Sequence, residues 1–149
     1  MKVRLVEASP NDLDTLWDIE IECFKSDAYP REMIRWMLLD PYMVVIKAID
    51  DKGEVMGFIA GRCKDGVGIV FTLDVRPRFR KMGIGRMLME ELEKRVFANG
   101  CDEMILQVEE KNREALRLYE ELGYRTVRFL KDYYGIRRNA YEMRKKLSY

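Results

Sequence analysis

The chain has 149 residues, 48% of them hydrophobic, which suits one domain with a real core. Its 27 Lys and Arg against 26 Asp and Glu leave a net charge of +1, excluding the broad basic field that holds nucleic acid nonspecifically. Cys23, Cys63 and Cys101 are widely spaced and there is no histidine, which argues against a zinc site and reads as free, buried thiols in a reducing compartment. No apolar run reaches the roughly 18 residues of a membrane helix. The expectation is one soluble, cytoplasmic domain spanning residues 1–149, with no metal.

Val3, Leu5 and Glu7 begin a short strand. Ser9, Pro10 and Asp12 then supply a helix cap, a first-turn proline and an early acid. The helix should run to about Phe24, burying Leu13, Leu16, Trp17, Ile21 and Phe24, which recur at three and four residues. After a break at 25–29, Pro30 opens a second helix carrying Met33, Ile34, Met37 and Leu38, and Asp40 with Pro41 stops it. Residues 43–49 and 55–60 flank a turn at 50–53 and read as an antiparallel hairpin. A further turn is expected at 64–68.

Residues 67–75 form a largely apolar strand, followed by a basic loop and a helix marked by Ile84, Leu88, Leu92 and Val96 and ended near Gly100. Residues 104–108 make the next buried strand. Ala115, Leu118, Tyr119 and Leu122 mark a last helix closed by Gly123, and two strands remain near 124–130 and 140–143. Strands interrupted by helices, with adjoining hairpins, predict an α/β fold whose mixed sheet is covered by helices.

The chemistry concentrates at Arg80, Lys81, Met82, Gly83, Ile84, Gly85 and Arg86. A strand, a glycine turn and a helix amino terminus gather unpaired backbone N–H groups where the helix dipole also favours negative charge, which suits a pyrophosphate. Gly83 and Gly85 leave room for phosphate oxygens, and Arg76, Arg78, Arg80, Lys81 and Arg86 raise the local potential. The competing reading is an ordinary basic loop with a glycine turn. A P-loop would need Lys and Ser or Thr after the second glycine, where Arg86 and Met87 stand. A dinucleotide fold would carry its glycines after the first strand, not the fourth.

Arg80 to Gly85 resembles the Arg/Gln-x-x-Gly-x-Gly/Ala signature of the GCN5-related N-acetyltransferase (GNAT) family. Leu106, Gln107, Val108, Asn112, Ala115, Leu118, Tyr119, Glu120, Leu122, Gly123 and Tyr124 resemble its later strand and helix. The likeness covers nearly the whole chain. Ile19, Glu20, Cys23 and Phe24, with Tyr133, Tyr134, Ala140 and Met143, are similar to the RimI and archaeal Ard1 amino-terminal acetyltransferases. The resemblance implies a mostly antiparallel sheet flanked by helices, and an acetyl-CoA-dependent transfer to an amine. It implies that Leu73, Asp74 and Val75 line the acetyl and pantetheine arm through backbone groups, and that Lys81, Met82, Gly83, Ile84, Gly85 and Arg86 hold the pyrophosphate. Asn112 would bond the pantetheine, Tyr119 would protonate the departing thiolate, and Tyr29, Gln107, Tyr133 and Tyr134 would meet the acceptor. Bland alternatives stand beside these roles: core packing for Tyr119, a helix cap for Asn112, and edge packing for the tyrosine pair.

The general base is where the chain departs from the family. Relatives carry Glu or His at position 107, but Gln107 takes no proton at neutral pH, and the other family position, at Ile69, is also unable to. Asp27 is the candidate, because Ard1-like enzymes place an acid in this loop; a solvated loop acid or cap competes with that role. Residues 135–139, with Arg137 and Arg138, replace an acidic run of relatives, so they either face solvent or meet an anionic acceptor. The leading function is acetylation of a protein amino terminus. A small-amine acetyltransferase, for polyamines or amino acids, and a non-catalytic acyl-CoA sensor are the alternatives.

Overall fold

The computed structural model describes residues 2–149. In chain order the elements are β1 (Arg4–Glu7), α1 (Leu13–Phe24), α2 (Arg31–Leu39), β2 (Met43–Ile49), β3 (Val55–Lys64), β4 (Val67–Val75), α3 (Ile84–Ala98), β5 (Glu103–Glu109), α4 (Arg113–Glu121), β6 (Arg125–Leu130) and β7 (Ala140–Lys146). The strands form a single sheet in the order β1-β2-β3-β4-β5-β7-β6. Every neighbouring pair is antiparallel except β4 with β5. Two cores form. Leu16 and Ile19 of α1 and Ile34 and Met37 of α2 pack with Val45, Phe58 and Ala60 of the sheet. Leu88, Leu92 and Val96 of α3 pack with Ile46, Ile59 and Met104, so the helices cover opposite faces.

The departure from regular geometry that matters most lies in β4. Its pairing with β5 runs from Val67 opposite Glu103 to Ile69 opposite Ile105 and stops there. From residue 70 to 75, β4 is paired with β3 alone. On that side Ala60 faces Thr72 but Gly61 faces Val70, so Phe71 is an extra residue, a β-bulge. A bulge bends its strand and shifts the inside-outside alternation by one. Val70 belongs to the α3 core, whereas Thr72 bonds Glu20 of α1 on the other face. Leu73 and Val75 return to the α3 side, where they approach Gly85. The bulge thus aims Thr72 and Asp74 at α1, beside the gap where β4 and β5 part.

Two sequence expectations need correction. Leu13, Leu16 and Trp17 pack on the core as expected, but Ile21 and Phe24 are exposed and Ile19 and Glu20 are buried in their place. Apolarity alone carries the stripe to the wrong side in the later turns, because Glu20 occupies a buried position there. The three cysteines are also not all free, since Cys63 at the end of β3 and Cys101 before β5 form a disulfide. Their wide spacing hid the pair, because a crossover helix brings the two chain segments together. The inference of a reducing compartment loses its premise with it.

Cys101→Ala should lower the free energy of unfolding by about 4 kcal/mol on chain-entropy grounds, since the bridge closes a loop of 38 residues. Thermal unfolding with and without a strong reductant checks this. An unchanged midpoint on reduction would show that the bridge constrains nothing.

Candidate active site

The basic loop joins β4 to α3 through left-handed turns at Lys81, φ 63°, and Gly83, φ 79°. Gly83 is needed there, as a side chain would be strained at that φ. Met87 N–H reaches Gly83 O at 3.0 Å to close the first turn of α3. The N–H groups ahead of it have no partner within the helix and point out of its positive end. A Cβ added at Gly85 would lie 3.6 Å from Leu118 of α4 and 3.9 Å from Leu73 and Val75 of β4. The glycine therefore floors a notch between β4, α3 and α4 that an anion can approach closely. Free N–H donors and a missing side chain at one place fit a pyrophosphate.

The five cations of this region are used unevenly. Arg76 pairs with Asp18 and Glu22, Arg78 with Glu54, and Arg86 with Glu121 at 2.6 Å. Arg80 donates from Nε to Val75 O at 3.0 Å. Neither Arg80 nor Lys81 has an ion-pair partner among the described residues, so both charges are left for a phosphate.

The other expected residues gather around the gap between β4 and β5. Asn112 caps α4, its Oδ1 accepting from Ala115 N–H at 3.2 Å. Two turns further on, Tyr119 is 8% exposed and stacks edge-on with Tyr124. Burial, and then Tyr134 and Asp74, make its phenol hold its proton more tightly than usual. Tyr29 donates from its hydroxyl to Phe71 O at 3.3 Å, capping a carbonyl of the bulge. Tyr133 and Tyr134 stand edge-to-face, 4.9 Å apart and half exposed. The Tyr134 phenol is pushed up to about 12 by burial, then by Tyr133 and Tyr29. Arg138 bonds Asp27 and so brings the β6–β7 connection and the α1–α2 loop to one mouth. Gln107 faces Glu142 across β5 and β7, two residues before Glu109 and so on the same face of the strand.

Asp27 is held differently from what its expected role needs. Arg138 donates to both its oxygens, at 3.0 and 2.9 Å, and also to Glu109 of β5 at 3.0 and 2.9 Å. The hydrogen bonds from Arg138 hold the Asp27 carboxyl below its usual range. Such a group gives up little on staying ionised and is a weak acceptor of an ammonium proton. Arg138 itself is an internal clamp between the α1–α2 loop, β5 and the β6–β7 connection. The sequence reading missed this clamp and also missed Glu20 and Thr72, because each rests on contacts more than fifty residues apart or on a bulge that leaves no mark in composition.

Residues 13–124 match the model of the acetyltransferase (GNAT) family. The chain belongs to the GNAT acetyltransferases. It is 37% identical over 142 residues, 93% of its own length and 88% of the relative's, to an uncharacterised N-acetyltransferase of Methanocaldococcus jannaschii. The ribosomal-protein-S18-alanine N-acetyltransferase of Escherichia coli superposes with a TM-score of 0.90 at 20% identity, over 99% of this chain and 96% of that one. Ard1 of Thermoplasma volcanium gives 0.87 at 25% identity over 100% of both chains. An aminoglycoside 6'-N-acetyltransferase complexed with coenzyme A gives 0.84 at 22% identity, over 100% of this chain and 98% of that one. The GNAT protein described here is thus an acyltransferase acting on amines, with acetyl-CoA as co-substrate. Among its described residues no helix is long and apolar enough to cross a membrane.

Proposed function

We propose that this GNAT enzyme acetylates the amino-terminal α-amine of a protein or peptide. The observation that carries the reading is the mouth of the gap, where Arg138 ties Asp27 of the α1–α2 loop to the β6–β7 connection that holds the Tyr133 and Tyr134 pair. Paired phenol rings with polar tips suit the backbone of an extended chain end, which is apolar along its length and rich in carbonyls and N–H groups. The similarity in fold to an enzyme named for a ribosomal-protein alanine supports the same acceptor class. The acids at the mouth, Asp27 and Glu109, are spent on Arg138, which weakens the attraction that a polyamine would need. The reading takes residues 1–149 as one catalytic domain acting in the cytoplasm, where acetyl-CoA and newly made amino termini meet.

In this reading Lys81, Met82, Gly83, Ile84, Gly85 and Arg86 hold the pyrophosphate, with Asn112 and the backbone of Leu73, Asp74 and Val75 along the arm. Acetyl-CoA supplies the thioester. The chain's own residues orient it, place the acceptor amine against the open edge of β4, and move protons. Tyr119 delivers one to the sulfur. Peptides with a free amino terminus should therefore be acetylated faster than spermidine or an internal lysine at equal concentration. Thiol release with mass spectrometry of the products checks this. A wide margin in favour of spermidine would transfer the assignment to small amines.

A further inference from the structure

Neither Gln107 nor Ile69 can take a proton, and Asp27 is clamped, yet an alkyl amine reaches the enzyme mostly as an ammonium. We propose that Asp74, Thr72 and Glu20 form a buried relay that accepts this proton, with Asp74 Oδ2 as the receiving atom. The proposal rests on the amine-acetylating activity, and the roles of these three side chains are its own content.

The geometry carries it. Thr72 Oγ1 lies 2.5 Å from Asp74 Oδ1 and 3.0 Å from Glu20 Oε1. A hydroxyl has one hydrogen and can donate to only one of them. The other contact is a hydrogen bond only when that carboxyl carries a proton and donates it. Glu20 also accepts Tyr29 N–H on Oε2 at 3.0 Å, so its carboxylate form is the better satisfied of the two. The resting order is then Asp74 protonated on Oδ1 and donating to Thr72, with Thr72 donating to an ionised Glu20. Asp74 is fully buried, and its Oδ2 has no hydrogen-bond partner. A buried oxygen left unmatched costs stability, and sites of that kind persist where they have work to do.

The groups around the pair come from every side of the gap. Glu20 and Cys23 come from α1, Tyr29 from the α1–α2 loop, Thr72 from β4 itself, Arg80 from the phosphate loop and Tyr119 from α4. Burial, and then the Glu20 carboxyl, hold Asp74 well above the usual carboxylate range, while Thr72 and Arg80 pull the other way. Cys23 Sγ donates to Val75 O and Tyr29 Oη to Phe71 O, each at 3.3 Å, so the two side chains bracket Thr72 and Asp74 along β4.

The step balances as follows. An N–H bond of the ammonium breaks and its proton goes to Asp74 Oδ2. The Oδ1 proton passes to Thr72, whose own proton passes to Glu20 Oε1, so the pair ends neutral. The freed nitrogen pair attacks the thioester carbon, and the C–S electrons leave with sulfur. The second nitrogen proton is released to water as the amide forms, and the Tyr119 phenolate left by protonating the thiolate takes one back from water. The relay returns its extra proton to water before the next cycle.

Asp74→Asn tests the idea through two nucleophiles, an amino-terminal peptide and hydroxylamine, a weak base that arrives neutral. The expected result is a loss of about 100-fold or more with the peptide near neutral pH, a change of only a few-fold with hydroxylamine, and unaltered acetyl-CoA affinity. Glu20→Gln should show the same split with a shifted pH profile. A wild-type rate and profile in Asp74→Asn, or equal losses with both nucleophiles, would overturn the relay. If the wild type ignores peptides but acetylates spermidine, the amino-terminal assignment falls alone, and the spermidine to hydroxylamine comparison decides the relay. Unfolding gives a readout without turnover. A group whose folded-state proton affinity is raised loses stability as pH rises from its ordinary value, about 4, to the raised one. Asp74→Asn should therefore gain thermal stability relative to wild type through that window, and parallel curves would count against the relay.

Discussion

Gly85→Glu should give a folded protein that no longer binds acetyl-CoA. The position is chosen on geometry: a Cβ there meets Leu118, Leu73 and Val75 at ordinary contact distances, and its φ is not left-handed. The backbone therefore tolerates a side chain, and a carboxylate in the first turn of a helix stabilises it. What the notch does not tolerate is bulk and a negative charge where phosphate oxygens approach the N–H groups of α3. The same change at Gly83 would confuse the result, because φ of 79° strains any side chain. Calorimetry should show affinity weakened by about 100-fold or more, equivalent to about 2.8 kcal/mol. Unchanged affinity in the folded variant would remove this loop from the cofactor site.

The outline of the fold was legible because local signals agree with tertiary needs. Asp40 ends α2, Gly123 with φ of 99° follows α4, and the hairpin of β2 and β3 turns where Asp and Gly sit. The turn through Lys81 and Gly83 into the amino terminus of α3 was legible for the same reason, as that loop is continuous in sequence. Strand lengths were underestimated, with β3 reaching Lys64 and β7 reaching Lys146. Both ends are charged, and pairing with a neighbouring strand rather than apolarity keeps them extended.

The arrangement of side chains around Thr72 and Asp74 was not legible. Alternation along β4 puts Val70, Thr72 and Asp74 on one side of a regular strand, and only the extra Phe71 moves the latter two to the face of α1. Glu20 enters the sequence reading only through its family resemblance, yet it is buried beside them. Arg138 reads in sequence as facing either solvent or an anionic acceptor, whereas its link to Asp27 spans 111 residues. These placements depend on register and long-range contact, neither of which periodicity encodes. The disulfide of Cys63 and Cys101 was hidden in the same way.

Tyr119→Phe should cut turnover by about 100-fold to 10,000-fold while leaving acetyl-CoA affinity intact. The phenylalanine ring keeps nearly the same volume, so the edge-on contact with Tyr124, 6.0 Å between centroids, and the seat of α4 on its core survive. Only the hydroxyl is lost. Because burial raises the proton affinity of Tyr119, the phenol stays protonated beyond its ordinary value of about 10. The acid is thus present across the whole range in which an acceptor α-amine, near about 8, loses its proton. Wild-type turnover should therefore show no falling alkaline limb from loss of the Tyr119 proton, and the variant should run parallel but far below. If the two profiles coincide, Tyr119 is packing and another donor meets the thiolate. If the variant instead loses cofactor affinity along with rate, its hydroxyl serves binding rather than proton delivery.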